Sequence, residues 1–391
     1  MLLGICGKTN VGKTSFFSAC TLVDAEISNR VFTTIKPNFG VTYVRSKCPC
    51  KERGVTCKPQ NSKCVDGVRY IPVKVVDIAG LVPDAYKGRG LGNMFLTDIM
   101  TADALVHIVD ISGGTDINGN PCPVGTHNPL DDIEFFRREI DYWVLGIIKK
   151  NIDHISKRMI VNKEKLSEGL YKQLSGLGVS TEHVERCIEK SGLDVNSPEE
   201  KFLEFSRTLM EDSKPVITAG NKIDIPQAEE IFNAVKDKIK DIIPCSADSE
   251  LALRKAAEKG IISYMPGGGD FEIRGNATEK QLAALESIRN VLKNFGSTGV
   301  QKIIDTAVFS LLEMIVVYPV ENEHKLTDKK GNVLPDAMLV KRGSTALDLA
   351  FKVHEDIGKR FISAVDARSG KSVAANHILK DGDIISIKAG R

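Results

Sequence analysis

Residues 2–14, LLGICGKTNVGKT, decide the fold. Leu2–Cys6 is a short apolar run of the kind that forms a buried strand, and a helix is expected after Gly12. Between them GKTNVGKT (7–14) fits Gly-x-x-x-x-Gly-Lys-[Ser/Thr], a loop that cradles phosphates. Each residue type has a physical reason. Gly7 and Gly12 permit backbone angles that turn successive N–H groups toward an anion. The helix N-terminus adds its positive dipole end. Lys13 neutralises the outer phosphates, and Thr14 offers a hydroxyl to Mg2+. Lys8, Thr9, Asn10, Val11 and Ser15 complete the expected nucleotide cradle. The bland alternative is a glycine turn joining a strand to a helix.

Three more blocks belong with this loop. DIAG (77–80) follows about 65 residues later. Asp77, at a strand end, suits Mg2+ through water, and Gly80 can turn its N–H to a terminal phosphate. FTTIKPNFG (32–40) lies between the two. A switch segment needs a hydroxyl that reaches Mg2+ only while the last phosphate is present. Thr34 is the expected residue and Thr33 the second choice; the alternative is a Thr-rich strand entry. NKID (221–224) follows a buried strand. Its Asp224 carboxylate would accept two hydrogens from the N1 and N2 edge of guanine. Adenine presents no such pair, and an unpaired buried carboxylate is costly. Asn221 and Lys222 belong to the same base-reading element. CSAD (245–248) adds Ser246 and Ala247, with the Ala247 N–H expected to donate to the guanine O6. All these blocks fall at carboxyl ends of expected strands, where open α/β sheets bind ligands.

Around the blocks, strand-like runs at 41–45, 69–78, 102–112, 214–224 and 241–248 alternate with helical segments. That is the pattern of a mostly parallel sheet with helices on both faces. Residues 128–212 break the rhythm. Asn128 can cap, Pro129 suits the first helical position, and Asp131 and Asp132 favour the positive helix end. Ile133, Phe136, Ile140, Trp143 and Ile147 then make one apolar stripe. This predicts a helical insertion packed on itself, an antiparallel coiled coil for instance, with ordinary crossover helices as the alternative. Residues 279–315 read as helical again. From Val316 short strands, turns and one helix make a compact unit. Thr345 with Asp348 forms a capping box there, and Leu347, Ala350, Val353 and Ile357 share a face. The expected domains are 1–315, carrying a Cys-rich insert (46–66) and a helical insertion (128–212), and 316–391.

Composition agrees with a soluble protein of two or three domains: 391 residues, 42% hydrophobic, 27% charged. A net charge of +2 neither demands nor excludes a nucleic-acid partner. The longest apolar candidate, AVFSLLEMIVVYPV, is interrupted by Glu313 and ends near Pro319, so no membrane span is expected. The chain starts on a strand and motif, without the look of a signal peptide. The expected location is cytoplasmic, with the nine cysteines reduced.

Together GKTNVGKTS, FTTIKPNFG, DIAGLVPDAYKGRGLGNMFL and NKID resemble the Obg/YchF family of translation-factor-class GTPases. The stretch 331–387 resembles a TGS domain, a β-grasp-like module shared with threonyl-tRNA synthetase and stringent-response enzymes. The resemblance covers nearly the whole chain except the cysteine insert, and is nearest to an archaeal branch related to YchF. It implies an α/β P-loop GTPase domain with a helical insertion, plus a small α+β TGS domain. It also implies a Mg2+-dependent molecular switch that binds GTP and GDP and hydrolyses GTP. The ribosome or RNA would meet the TGS domain and the helical insertion; neither membrane nor DNA is expected as a partner. YchF proteins proper carry Asn-x-x-Glu at the base-reading position and are associated with ATP. Asp224 departs from that and favours guanine. Thr9 replaces a usual Pro.

Leu81 stands where Ras-like GTPases carry the Gln that orients water. It can neither donate nor accept a hydrogen bond. One answer is K+ held by the Asn10 amide oxygen; Arg89 as a finger in cis, or a partner completing the site, are others. The expected catalytic set is Lys13, Asn10, Thr34 and Gly80. Two rivals stand beside a GTPase: an ATP-preferring YchF-like ATPase, and an RNA- or ribosome-binding module with a mainly structural nucleotide.

CPCKERGVTCKPQNSKC (48–64) places Cys48, Cys50, Cys57 and Cys64 in one insert with few apolar residues. Four thiolates around a structural Zn2+ would staple it. The spacing is not a paired Cys-x-x-Cys, and reduced, flexible thiols are the alternative. Cys6 and Cys245 are expected in the core.

Overall fold

The computed structural model describes residues 1–21, 39–88 and 92–390. By packing, they divide into two compact units: 1–21, 39–40 and 74–303 in one, 41–73 and 304–390 in the other.

Seven strands make the first sheet: β1 (Leu2–Cys6), β2 (Phe39–Lys47), β3 (Lys63–Val65), β4 (Val68–Asp77), β5 (Ala104–Asp110), β6 (Val216–Asn221) and β7 (Ile242–Pro244). Their order is β2-β4-β1-β5-β6-β7, with β3 on β4. The β1/β4, β1/β5, β5/β6 and β6/β7 pairs are parallel, whereas β3/β4 is an antiparallel hairpin. β5 is buried along its whole length because it has a strand on either side and cover on both faces. That is why ADALVHIVD reads as a continuous apolar run.

Helix α1 (Lys13–Thr21) follows the glycine loop, α2 (Pro49–Glu52) lies in the cysteine insert, and α3 (Gly92–Thr101) precedes β5. The β5-to-β6 crossover contains α4 (Pro129–Asn162), α5 (Leu166–Leu174), α6 (Thr181–Ser191) and α7 (Glu199–Ser213). The Asn128 side chain caps α4, accepting from the Leu130 N–H, with Pro129 opening the helix. The insertion is therefore four helices sharing a core, in place of a two-stranded coiled coil. Phe136, Ile140, Val144 and Ile148 of α4 pack there with Leu170, Val184, Phe205 and Leu209, continuous with Cys6, Val76 and Leu105 of the sheet. Ile133, expected in the same stripe, packs in a separate cluster beside Phe232 and Val235. α8 (Ala228–Val235), α9 (Ala247–Glu258), the short pair β8 (Ile262–Ser263) and β9 (Glu272–Ile273), α10 (Glu279–Phe295) and α11 (Val300–Thr306) complete the run.

The second unit contains a five-stranded mixed sheet of β10 (Met314–Val320), β11 (Met338–Lys341), β12 (Phe361–Asp366), β13 (Lys371–Val373) and β14 (Ile384–Ala389), in the order β11-β10-β14-β12-β13. Thr345 forms the expected capping box with Asp348. The single helix expected there is two, α12 (Ala346–Val353) and α13 (Glu355–Lys359), because His354 is extended. The buried face is correspondingly Ala346, Leu349 and Ala350. The cysteine insert packs in this unit. Backbone bonds run from Lys58 N to Val333 O (2.8 Å) and from Gln60 N to Pro335 O (2.6 Å), and the Asn61 amide pairs with both backbone groups of Ala337. Among the described residues, no helix is long and apolar enough to cross a membrane.

Candidate nucleotide site

The glycine loop is held in the shape that the sequence requires. Gly7 and Gly12 have φ of +142° and +94°. A Cβ on Gly7 would lie 2.4 Å from the Ile108 carbonyl oxygen, and one on Gly12 would lie 2.3 Å from the Asn221 Nδ2. Glycine is therefore demanded by contact as well as by conformation. The backbone N–H groups of Asn10 through Ser15 find no acceptor among the described residues. A row of free amides at a helix N-terminus is an anion cradle.

The second and third blocks close on this loop. Thr14 Oγ1 lies 3.4 Å from Asp77 Oδ2. Asp77 Oδ1 is buried without a hydrogen-bond partner among the described residues. Burial raises the Asp77 pKa, against the pull of Lys13; burial lowers that of Lys13, against the pull of Asp77. An orphaned carboxylate oxygen beside a threonine hydroxyl is a hard-oxygen pair that suits Mg2+. Lys13 Nζ donates to the Lys8 carbonyl at 2.7 Å and lies 3.3 Å from where a Gly80 Cβ would be. Leu81 N donates to Gly7 O, and its side chain is buried in the core. Leu81 is thus a packing residue pointing away from solvent. Thr33, Thr34 and Arg89 lie outside the described residues.

Asn221 ties the base-reading elements to the phosphate loop. Its Nδ2 donates to Val11 O at 2.8 Å, and its Oδ1 accepts from Ala247 N at 3.0 Å. The Ala247 amide, expected to face a base, is thus engaged by Asn221. The next amide, Asp248 N, has no acceptor among the described residues. Ser246 caps α9 through Ser249 N. Lys222, in the left-handed region, donates to Asp110 Oδ2 at 2.8 Å. Asp224 is exposed, with no hydrogen-bond partner among the described residues.

A loop that the motif reading passed over, 111–128, covers the phosphate loop. Asn118 O accepts from Thr9 Oγ1 (3.1 Å) and Gly119 O accepts from Asn10 Nδ2 (2.9 Å), leaving Asn10 Oδ1 unclaimed among the described residues. Gly119 has φ +82°, and a Cβ there would sit 1.9 Å from Thr9 Oγ1. Asp116 shapes the turn by accepting from Asn118 N and Asn120 N. Asp110, fully buried, accepts from Ser112, Thr115 and Lys222. Lys8 turns its side chain away from the cradle: Nζ donates to Thr115 O and Asp132 Oδ1, both at 2.8 Å, and His127 Nε2 meets the same carboxylate oxygen at 2.7 Å. The turn chemistry of GGTDINGNP was a usable signal for this loop. The Lys8–Asp132 pair had none.

In the other unit the four cysteines converge. The sulfurs of Cys48, Cys50, Cys57 and Cys64 all lie within 4.8 Å of one another. Cys48 immediately precedes α2, Cys50 lies in its first turn, and Cys64 is on β3.

Three family models match the chain: a 50S ribosome-binding GTPase model over 2–128, an Obg-like GTPase (YGR210-like) G4-motif domain over 219–322, and a TGS domain over 330–389. GTP-binding protein MJ1332 of Methanocaldococcus jannaschii is 47% identical, covering 99% of this chain and 98% of its own. The crystal structure of a GTP-binding protein from Pyrococcus horikoshii is 38% identical, with TM-score 0.80 and 100% of both chains covered. The ribosome-binding ATPase YchF of Bacillus subtilis is 27% identical, with 98% of each chain covered.

Proposed function

The chain belongs to the Obg/YchF-like family of P-loop GTP-binding proteins, and from that premise we propose that it is a Mg2+-dependent GTPase acting as a molecular switch. The observation that carries the guanine assignment is Asp224. It is an exposed carboxylate without a partner among the described residues, three residues after the Asn221 that grips the phosphate loop at Val11. Two acceptor oxygens there match the adjacent N1–H and N2–H donors of guanine, a pair that adenine, with an acceptor at N1, does not present. With Ala247 N engaged by Asn221, Asp248 N is the donor we assign to the guanine O6.

The free amides of Asn10–Ser15 and the Lys13 ammonium would bind and orient the triphosphate. Thr14 and Asp77, joined by Thr34, would hold Mg2+, which would supply positive charge against the charge that develops in phosphoryl transfer. Gly80 would offer its N–H to the terminal phosphate. The buried Leu81 cannot orient water. The unclaimed Asn10 Oδ1, fixed by the Nδ2 bond to Gly119, is the group we assign to K+ beside the phosphates. We place the protein in the cytoplasm. The TGS domain and the helical insertion would meet the ribosome or RNA; the B. subtilis relative is named for ribosome binding.

The test is direct competition of GTP and ATP for the purified chain. GTP should win by at least about tenfold, and Asp224→Asn should shift preference toward xanthosine triphosphate. Equal competition by ATP would favour the ATPase reading that the YchF relatives' name suggests. Turnover in K+ against Na+ tests Asn10, and equal rates would remove the cation. Negligible turnover with and without ribosomes would favour a mainly structural nucleotide.

A further inference from the structure

We propose that Cys48, Cys50, Cys57 and Cys64 form a tetrathiolate Zn2+ site, with the buried Arg69 as its countercharge, and that this site folds the insert into the second unit. The geometry fits metal first. Four sulfurs at about 2.3 Å from a tetrahedral Zn2+ stand about 3.8 Å apart. Cys50 and Cys64 Sγ are 3.8 Å apart and Cys48 and Cys57 Sγ are 4.0 Å apart. All four sulfurs lie within 4.8 Å of one another, so they form one cluster and not two separate pairs. All-sulfur tetrahedral sites belong to zinc or iron, and hard cations are excluded by the ligand type.

A second observation is independent of the cysteines. Arg69 is the largest fully buried side chain of the described residues. Nη1 donates to Ser62 Oγ (3.0 Å) and Nη2 to Leu334 O (2.8 Å), and the guanidinium stands 5.3 Å from the Tyr318 ring centre. No carboxylate among the described residues lies within ion-pair distance of it. A buried guanidinium without a countercharge is costly. Arg69 is the cross-strand partner of Cys64 in the β3/β4 hairpin, so both side chains project from the same face. A Zn2+ with four thiolates carries a net charge of −2. Asp336 feels Arg69 electrostatically without pairing with it; the cluster supplies the closer anion, and Arg69 offsets charge that would otherwise burden the cluster.

The consequence concerns folding of the insert. Helix α2 has four residues, too few to stand alone. Residues 58–61 are held against 333–337 by backbone and amide bonds, with little apolar burial of their own. Cross-linking Cys48 and Cys50 to Cys57 and Cys64 fixes both ends of that segment. The Arg53 bond to Ala367 O (3.1 Å) and the Glu52–Arg368 pair then hold the α2 end against the C-terminal sheet.

The experiment uses the full chain, purified without chelator. Elemental analysis should give one zinc per chain, released when an organomercurial titrates four thiols. Zinc absent with four freely reacting thiols, two disulfides in the peptide map, or iron in place of zinc would each overturn the assignment. Removing the metal from the wild-type chain should quicken tryptic cleavage after Arg53, at the end of α2. If the metal is present but its removal leaves cleavage after Arg53 unchanged, the folding role falls. Cys57→Ser should lose the zinc yet retain GTP binding, which separates loss of the site from general unfolding. Arg69→Met should weaken zinc in a chelator competition by roughly 10–100-fold, with Arg69→Lys recovering part. Unchanged affinity in Arg69→Met would remove the countercharge.

Discussion

Lys8 and Asp132 give the sharpest test of how the nucleotide unit is held together. Both side chains are almost wholly buried, at 2% and 3% exposure, and joined at 2.8 Å. Lys8 also satisfies Thr115 O, and His127 reaches the same Asp132 oxygen. Burial raises the Asp132 pKa even though Lys8 and His127 both pull it down. Desolvation therefore outweighs pairing at this carboxylate. A pair in that regime is costly to break and cheap to replace. Lys8→Met would strand a buried carboxylate and the Thr115 carbonyl, at about 3–5 kcal/mol. For a unit of this size that lowers the melting temperature by about 6–20 °C. Lys8→Met combined with Asp132→Leu should recover most of the loss, because the apolar pair needs no desolvation. The assay is thermal and urea unfolding of the four-member cycle. A Lys8→Met loss below about 1 kcal/mol, or a double variant no more stable than the worse single one, would refute the reasoning. The pH sign follows from the raised pKa. The folded state holds the Asp132 proton more tightly than the unfolded chain, so this group makes stability fall as pH rises through the acid range.

Three further outcomes are expected. Gly119→Ala should weaken GTP binding at least about tenfold in a fluorescent-nucleotide titration, since its Cβ would stand 1.9 Å from Thr9 Oγ1 at a φ of +82°. Glu139, almost fully buried, accepts from Asp84 N (3.0 Å) and Tyr86 N (3.1 Å). Glu139→Gln puts an amide donor against one of those donors, at about 1–3 kcal/mol, and tryptic cleavage after Lys87 should quicken. Asp141 is raised by burial from 3.8 to about 6 despite Arg207. Its folded state binds the proton in that interval, so its contribution to stability declines between about pH 4 and 6. Asp141→Asn should flatten this slope in urea melts and raise stability at pH 7 by on the order of 1–3 kcal/mol.

The phosphate loop was legible because its residue types are forced locally. Gly7 and Gly12 need positive φ and close contact, Lys13 a charge, and Thr14 a hydroxyl, all within eight positions. The sheet was legible because β5 and its neighbours are apolar on both faces. Contacts between ordinary surface-type residues far apart in sequence were not legible. Lys8 and Asp132 are 124 residues apart, and nothing in either marks the other. Asn221, expected in the base-reading element, also spans Val11 and Ala247 through its amide, a link that its tetrapeptide does not reveal. The association of residues 58–61 with 333–337 rests largely on backbone groups, which carry no residue signature.

Two contacts between distant parts of the chain converge on α4. Asp132 grips the phosphate loop through Lys8, and Glu139 holds the segment after DIAG through Asp84 and Tyr86. Seven residues separate them, about two turns of one helix, so both carboxylates lie on nearly the same face. Asp84 has φ +65° and Tyr86 packs on Tyr142 of the same helix, with ring centres 5.2 Å apart. The two segments that frame the proposed phosphate site are therefore anchored to one rigid rod, whose later turns form the core of the helical insertion. A displacement of residues 84–86 must either break both Glu139 bonds, leaving a buried carboxylate unpaired, or carry α4 along. The first course costs several kcal/mol, so motion transmitted into the helix is the cheaper one. On this geometry the insertion is mechanically part of the nucleotide site.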